Sequence, residues 1–160
     1  MILRSNIERV GLGMANVTQL RRKARTVALQ SLFAGDFKHN LSHTSLEWLL
    51  NEEPLPSKYK LFAEELLLGV ELDKEQLDQI ISNFATAWPV EQLPMVDRNI
   101  LRIALFELKN HVKTPRKTII TEAVELGKTF GSDSSGKFIN GVLGSVVSDT
   151  GMRELVPNGT

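Results

Sequence analysis

Apolar residues recur at a spacing of three or four along most of this chain, and this spacing constrains the fold more than any other feature. Such a spacing is typical of helices that bury one face. Residues 96–108 show the pattern most fully, and their apolar stripe is broad enough to predict a central helix contacted from two sides. Short β-branched runs such as residues 118–120 lie inside helical patterns, so the sequence favours helices throughout.

The same spacing divides the chain into about seven helices joined by short loops. The first predicted helix covers residues 18–34, and a polar loop follows over residues 36–43. Gly69 predicts a break between two separate helices over residues 57–69 and 73–88. The predicted fold class is therefore all-α, a compact bundle of helices.

The expected domain organisation follows from where this pattern starts and stops. Residues 1–17 are predicted to be a flexible N-terminal extension, residues 18–150 a single domain and residues 151–160 a frayed tail. Met14 is a second candidate, beside Met1, for the native start of the chain. A chain of 160 residues is long enough to bury one sizeable core.

Composition argues against several classes of protein. The chain has no cysteine, which excludes a disulfide framework, thiolate metal sites and cysteine nucleophiles. It contains no run of about 18 apolar residues, so no membrane-spanning helix is predicted. The N-terminus lacks the apolar core of a signal peptide, and a reducing, cytoplasmic location is expected.

The residue types that usually carry catalysis or bind metals form no convincing group. His39 and His43 fall in the predicted polar loop, without the glutamate of a zinc-protease motif, and are interpreted as solvent-facing. Paired carboxylates such as Glu122 and Glu125 are interpreted as a solvated helix face. The chain is therefore predicted not to be an enzyme and to need no cofactor or metal.

One motif imitates a nucleotide-binding loop. Residues 131–137 match the glycine and lysine spacing of a P-loop, but Phe138 stands where that motif requires Ser or Thr, and a helix rather than a strand precedes it. The favoured interpretation is a helix that ends at Gly131 and a new helix that begins near Ser134. The free amides there, with Lys137 nearby, would suit one backbone phosphate.

Charge is unevenly distributed although the formal net charge is zero. Residues 1–25 hold six cations and one acidic residue, whereas residues 47–78 hold nine acidic residues and three lysines. Four of the cations lie within residues 21–25, where we expect them to line the rim of an amphipathic helix. Cations at a helix N-terminus oppose the helix dipole, which favours an anionic partner such as nucleic acid. The alternative is a cluster that only keeps the protein soluble.

Three blocks in this order carry a resemblance to a known family. They are RRKARTVALQSLF at residues 21–33, VDRNILRIALFEL at residues 96–108, and TEAVELGKTFGSDSSGKFINGVL at residues 121–143. Together they resemble the bacterial transcription antitermination family NusB over residues 19–149. The resemblance implies an all-helical fold in which two small bundles of helices pack together.

The resemblance also implies a function. NusB-like proteins pair with NusE, a small-subunit ribosomal protein, and the pair binds single-stranded boxA RNA in nascent ribosomal RNA transcripts. The complex helps RNA polymerase to resist termination. Residues 18–150 would accordingly form an RNA-binding domain, with the acidic surface suited to a basic ribosomal protein.

Family motifs carry specific roles onto this sequence. The residues implied to bind RNA are Arg21, Arg22, Lys23, Arg25, Ser134, Lys137, Phe138 and Asn140. The residues implied to contact NusE are Phe33, Glu91 and Asp97. Three features depart from the family pattern. Thr121 replaces its usual Asn, Gly127 replaces its usual Ala, and the usual acidic pair of the loop after Gly131 is reduced to Asp133, with Ser134 next.

Two other functions remain alternatives at this level. One is a helical protein-interaction module that does not bind RNA. The other is a detached N-terminal domain of a ribosomal RNA cytosine methyltransferase. Such an enzyme uses a cysteine nucleophile, and this chain has no cysteine. The resemblance is compatible with a monomer or with a homodimer.

Overall fold

The computed structural model describes the backbone of residues 2–149 and the side chains of residues 17–149. Within this part of the chain the secondary structure consists of six α-helices and one short 3-10 turn over Val90–Gln92, without strands. The helices are α1 (Ile2–Phe37), α2 (Leu41–Glu52), α3 (Ser57–Phe84), α4 (Met95–Asn110), α5 (Arg116–Phe130) and α6 (Ser135–Ser148). The all-α prediction is confirmed, with six helices rather than about seven.

The missing helix boundary lies at Gly69, where the predicted break is wrong. Helix α3 continues through Gly69 without a break. Gly69 lies where α3 crosses close to α4, and it does not end the helix. A Cβ atom at Gly69 would lie 2.1 Å from Cε2 of Phe106. The absence of a side chain therefore lets the Phe106 ring pack directly on the α3 backbone.

Helix α1 is longer than predicted at both ends. It begins at Ile2 and runs to Phe37, so helical backbone passes through residue 17 without interruption. The basic residues 21–25 consequently lie in the middle of a helix, and the argument from an unfavourable position at its N-terminus is wrong. The division into an extension and a domain at residues 17 and 18 stays a prediction, and the predicted tail over residues 151–160 lies outside the described residues.

Helix α4 forms the centre of the bundle, as its broad apolar stripe predicts. Every residue from 100 to 108 is buried. Helix α4 packs against α1, α3, α5 and α6, whereas α1 also packs on α2 and α3, and α5 on α6. None of the helices within residues 2–149 is long and apolar enough to span a membrane.

Candidate nucleic-acid interface

Arg25 is part of the core, which corrects its expected position on the rim of α1. Its side chain is only 3% exposed. Its guanidinium donates two hydrogen bonds to the carboxylate of Glu107 on α4, from Nε to Oε2 and from Nη2 to Oε1, each 2.8 Å long. Arg25 therefore fixes α1 against α4, and its side chain presents no surface to a ligand.

Arg21 lies one turn earlier on α1 and is partly exposed. Its guanidinium carbon stands 4.3 Å from the centre of the Phe62 ring of α3, a distance typical of a cation–π contact. Among the described side chains Arg21 has no carboxylate partner. The Phe62 ring therefore holds this guanidinium in place while leaving its positive charge unneutralised.

Arg22 forms a two-bond pair with Glu122 of α5. The distances are 2.9 Å from Nε to Oε2 and 3.0 Å from Nη2 to Oε1. Hydrogen bonds from Arg22 lower the pKa of Glu122, and the same bonds raise the pKa of Arg22. Since the Glu122 side chain is only 8% exposed, its interpretation as part of a solvated face is wrong. The side chain of Arg22 remains about half exposed, with 48% of its surface accessible.

Lys23 is the fourth cation of the segment and lies on the surface. Its ammonium group pairs with the carboxylate of Glu53, which follows α2, and both side chains are well exposed. Lys23 and Arg22 also line a groove of about 520 Å³ on the surface of α1. Exposed ion pairs of this kind are worth little in free energy, so phosphate groups can replace the carboxylate partner.

The turn between α5 and α6 is held by a chain of hydrogen bonds around Ser135. Its hydroxyl donates to the Asp97 carboxylate across 2.7 Å and accepts from the Ser132 amide across 2.9 Å. Asp97 is buried, so it contributes no exposed charge for a partner. Ser134 is exposed at the start of α6, with its hydroxyl 3.2 Å from that of Ser132.

The remaining predicted RNA-binding residues lie on the first turns of α6. Lys137 and Asn140 are exposed, and Phe138 is half-buried against the core. Lys137 and Phe138 line a groove of about 480 Å³. Residues 85–88, which follow α3, also line this groove. This groove shares no lining residue with the one beside Arg22, so the two predicted groups line different grooves.

Phe33, one of the predicted partner contacts, is 37% exposed. It lines a mainly apolar groove of about 270 Å³ together with Val96 and Phe130, and its ring meets that of Phe37 edge to face at 5.1 Å. Glu91 is exposed, and its backbone carbonyl accepts a 3.2 Å hydrogen bond from Arg98. An apolar groove of exposed aromatics suits contact with a protein.

Two interpretations of the chemistry can be checked directly. Residues 131–134 form a turn between two helices, which confirms the helix end predicted for the P-loop look-alike. His39 and His43 are both exposed, as predicted, and Nε2 of His43 also lies 2.8 Å from the Glu71 carboxylate. The predicted loop over residues 36–43 is also shorter than expected, since α2 begins at Leu41.

A comparison with family models decides the identity of this helical bundle. The model described as the NusB family matches residues 22–148. The chain belongs to the NusB family. The match covers helices α2 to α6 in full and α1 from Arg22 onward, so it includes Arg22, Lys23 and Lys137 but begins one residue after Arg21.

Relatives named transcription antitermination protein NusB are similar over nearly their whole length. The protein of Dehalococcoides mccartyi strain CBDB1 is 46% identical over 130 residues, which cover 81% of this chain and 91% of the relative. That of Roseiflexus sp. strain RS-1 is 47% identical over 134 residues, which cover 82% and 94%.

Solved structures of NusB have the same fold. T. maritima NusB superposes with a TM-score of 0.76 at 32% identity, covering 86% of this chain and 93% of that one. A complex of the antitermination factors NusB and NusE with double-stranded RNA gives a TM-score of 0.71 at 24% identity, covering 79% and 95%, which supports the shared fold.

Some residues that shape the surface of this family member could not be identified from the sequence. Glu122 and Glu53 neutralise Arg22 and Lys23 from distant parts of the chain. Trp88 lines the Lys137 groove, and Phe130 lines the Phe33 groove. The exposed aromatics were visible as residue types, but only the packing of α3, α5 and α6 shows which surface each one joins.

Proposed function

We propose that this chain is an RNA-binding transcription antitermination factor that has no catalytic role. It pairs with NusE on boxA RNA of nascent ribosomal transcripts and acts within an RNA polymerase complex. The observation that carries the proposal is the match to the NusB family over residues 22–148, which includes Arg22, Lys23 and Lys137. The similarity of NusB proteins over more than nine-tenths of their own length supports the same function.

The basic surface of α1 supports RNA binding in a specific way. Arg21 carries a charge that no described carboxylate neutralises, and Arg22 is half exposed beside it. An arginine guanidinium can grip a phosphate through two hydrogen bonds and can also stack on a base. Arg25 does not contribute a contact of its own but positions this turn of α1 through Glu107.

The apolar groove lined by Phe33, Val96 and Phe130 supports a protein partner on another surface. Its residues come from the second half of α1 and from α4 and α5, apart from the basic turn. NusE is the proposed occupant of this region, with exposed Glu91 contributing negative charge toward a basic ribosomal protein. Asp97 would act there only indirectly, through the turn that it holds.

Fluorescence anisotropy with an end-labelled boxA RNA tests the proposal. We expect the chain to bind this RNA, to bind more tightly when NusE is added, and to lose affinity as salt rises, by about 0.7 logarithmic units per phosphate contact for each logarithmic unit of salt. A chain that binds NusE but not RNA, with or without NusE, would instead be a protein-interaction module.

A further inference from the structure

Trp88 is exposed in a way that core packing does not explain. It lies in the segment between α3 and the 3-10 turn, and 64% of its surface is accessible. A tryptophan gains most of its stabilising effect by burying a large apolar area, so an exposed indole forgoes most of that gain. Exposed apolar surface in a groove often marks a binding site.

The groove beside Trp88 has the dimensions of a small-ligand site. Its volume of about 480 Å³ falls within the range of about 300–1,000 Å³ that is usual for such sites. Trp88, Phe84 and Leu93 line it from one direction, and residues of α6 line it from the other. A Cβ atom at Gly141 of α6 would meet nothing within 4 Å, so this part of the wall is open.

The charge of the groove indicates what it binds. Lys137 is the one charged residue among the eleven that line it. In the part of the chain that the structure describes, Lys137 forms no ion pair, unlike Lys23 with Glu53. The groove therefore combines aromatic faces with one unneutralised cation, and this combination is typical of proteins that bind single-stranded nucleic acid.

The second tryptophan provides a contrast. Trp48 on α2 is similarly exposed, at 61%, but Glu47, Glu52 and Glu53 are its neighbours in sequence. An acidic environment would repel a phosphate backbone, whereas the Lys137 groove attracts one. Exposure alone thus does not distinguish the two tryptophans, and charge does.

We propose that Trp88 is a stacking platform for one unpaired base of the bound RNA, while Lys137 neutralises an adjoining phosphate. Half-buried Phe138 forms the wall of the same groove, and the exposed amide of Asn140 lies on the next turn of α6. This inference rests on the proposed RNA-binding function and adds a base-contacting residue to it. Single-stranded RNA is commonly recognised by splayed bases on aromatic side chains.

Intrinsic fluorescence tests the inference, because the chain has two tryptophans. The Trp48→Phe variant leaves Trp88 as the sole indole, and Trp88→Phe is the reciprocal control. We expect single-stranded boxA RNA to quench the emission of Trp88 strongly and that of Trp48 hardly at all. Trp88→Ala should weaken binding about 5- to 150-fold, the loss equivalent to one stacked base, with a smaller loss for Trp88→Phe.

Two results would overturn the inference, and they are distinguishable. If boxA RNA binds with unchanged affinity to Trp88→Ala and leaves the emission of Trp88 unaltered, the RNA-binding function stands but Trp88 is not a platform. If labelled boxA RNA does not bind the wild-type protein at all, with or without NusE, both the function and the inference fail. Circular dichroism of each variant separates these results from misfolding.

Discussion

Arg25 and Glu107 form a buried salt bridge of two 2.8 Å hydrogen bonds that joins α1 to α4. Arg25 lies within a stretch of α1 whose other cations are exposed or partly exposed. The same run of basic residues thus has two roles, since one arginine fixes the helix and its neighbours face solvent. The salt bridge fixes α1 against α4, while Phe62 and Glu122 hold the guanidinium groups of Arg21 and Arg22.

Breaking this salt bridge should destabilise the fold. Replacing only one partner, in Arg25→Met or Glu107→Met, leaves a buried charge without its partner, and we expect a loss of about 3–5 kcal/mol in the free energy of unfolding. The double replacement by two methionines should recover most of that loss. Urea denaturation of the four proteins measures both effects, and an additive loss in the double variant would contradict the account.

The Arg22–Glu122 pair predicts a specific pH dependence of stability. Hydrogen bonds from Arg22 lower the pKa of Glu122 in the folded protein, so the unfolded chain takes up this proton at a higher pH than the folded one. The stabilisation is present above the pKa of the unfolded carboxyl and is lost as the pH falls through the folded pKa. We expect the stability difference between wild type and Glu122→Gln to shrink in acid, as denaturation at several pH values would show. A difference that does not change with pH would contradict this explanation.

The same pair predicts an effect on RNA binding. The carboxylate of Glu122 competes with RNA for the guanidinium of Arg22, so Glu122→Gln should tighten binding at low salt. One additional phosphate contact would steepen the salt dependence by about 0.7 logarithmic units. Glu75→Gln is the matched control, since Glu75 is exposed on α3 and is not among the groups that shift the pKa of Arg22. Anisotropy titrations that show equal affinities for the two variants would argue against competition at Arg22.

The crossing of α3 and α4 predicts opposite effects at two glycines. In Gly69→Ala the new methyl group would collide with Phe106, at a cost of about 1–3 kcal/mol, and Phe106→Leu should relieve part of it. In Gly144→Ala the methyl group meets nothing within 4 Å, so the higher helix propensity of alanine should stabilise α6 by up to about 1 kcal/mol. Thermal unfolding measures both, and a neutral Gly69→Ala would mean that this crossing tolerates a side chain.

The sequence predicted those parts of the fold that depend on local patterns. The burial of α4 follows from the width of its apolar stripe, and the turn between α5 and α6 follows from Gly131 and the serines after it. At Gly69 the local signal was ambiguous, because a glycine can end a helix or permit close packing. Only Phe106, on another helix, decides between the two.

The candidate site was predictable as a list of residue types but not as a surface. Arg25 and Arg22 look alike in the sequence, and their partners lie 82 and 100 residues away. Burial separates the two arginines, and burial depends on how α1, α4 and α5 pack. Trp88 has no motif of its own, so its place beside Lys137 emerges only from the folded chain.

Salt-dependent RNA affinity is the most direct test of the central claim. We predict that replacing Arg21, Arg22 and Lys137 together with alanine weakens boxA binding severely and lowers the salt slope by about 2 logarithmic units, equivalent to three phosphate contacts. A triple alanine variant of Lys38, Lys60 and Lys74 is the charge-matched control, because these lysines are exposed and line neither of the two basic grooves. Wild-type affinity and slope in a folded triple variant would contradict the assignment of these surfaces to RNA.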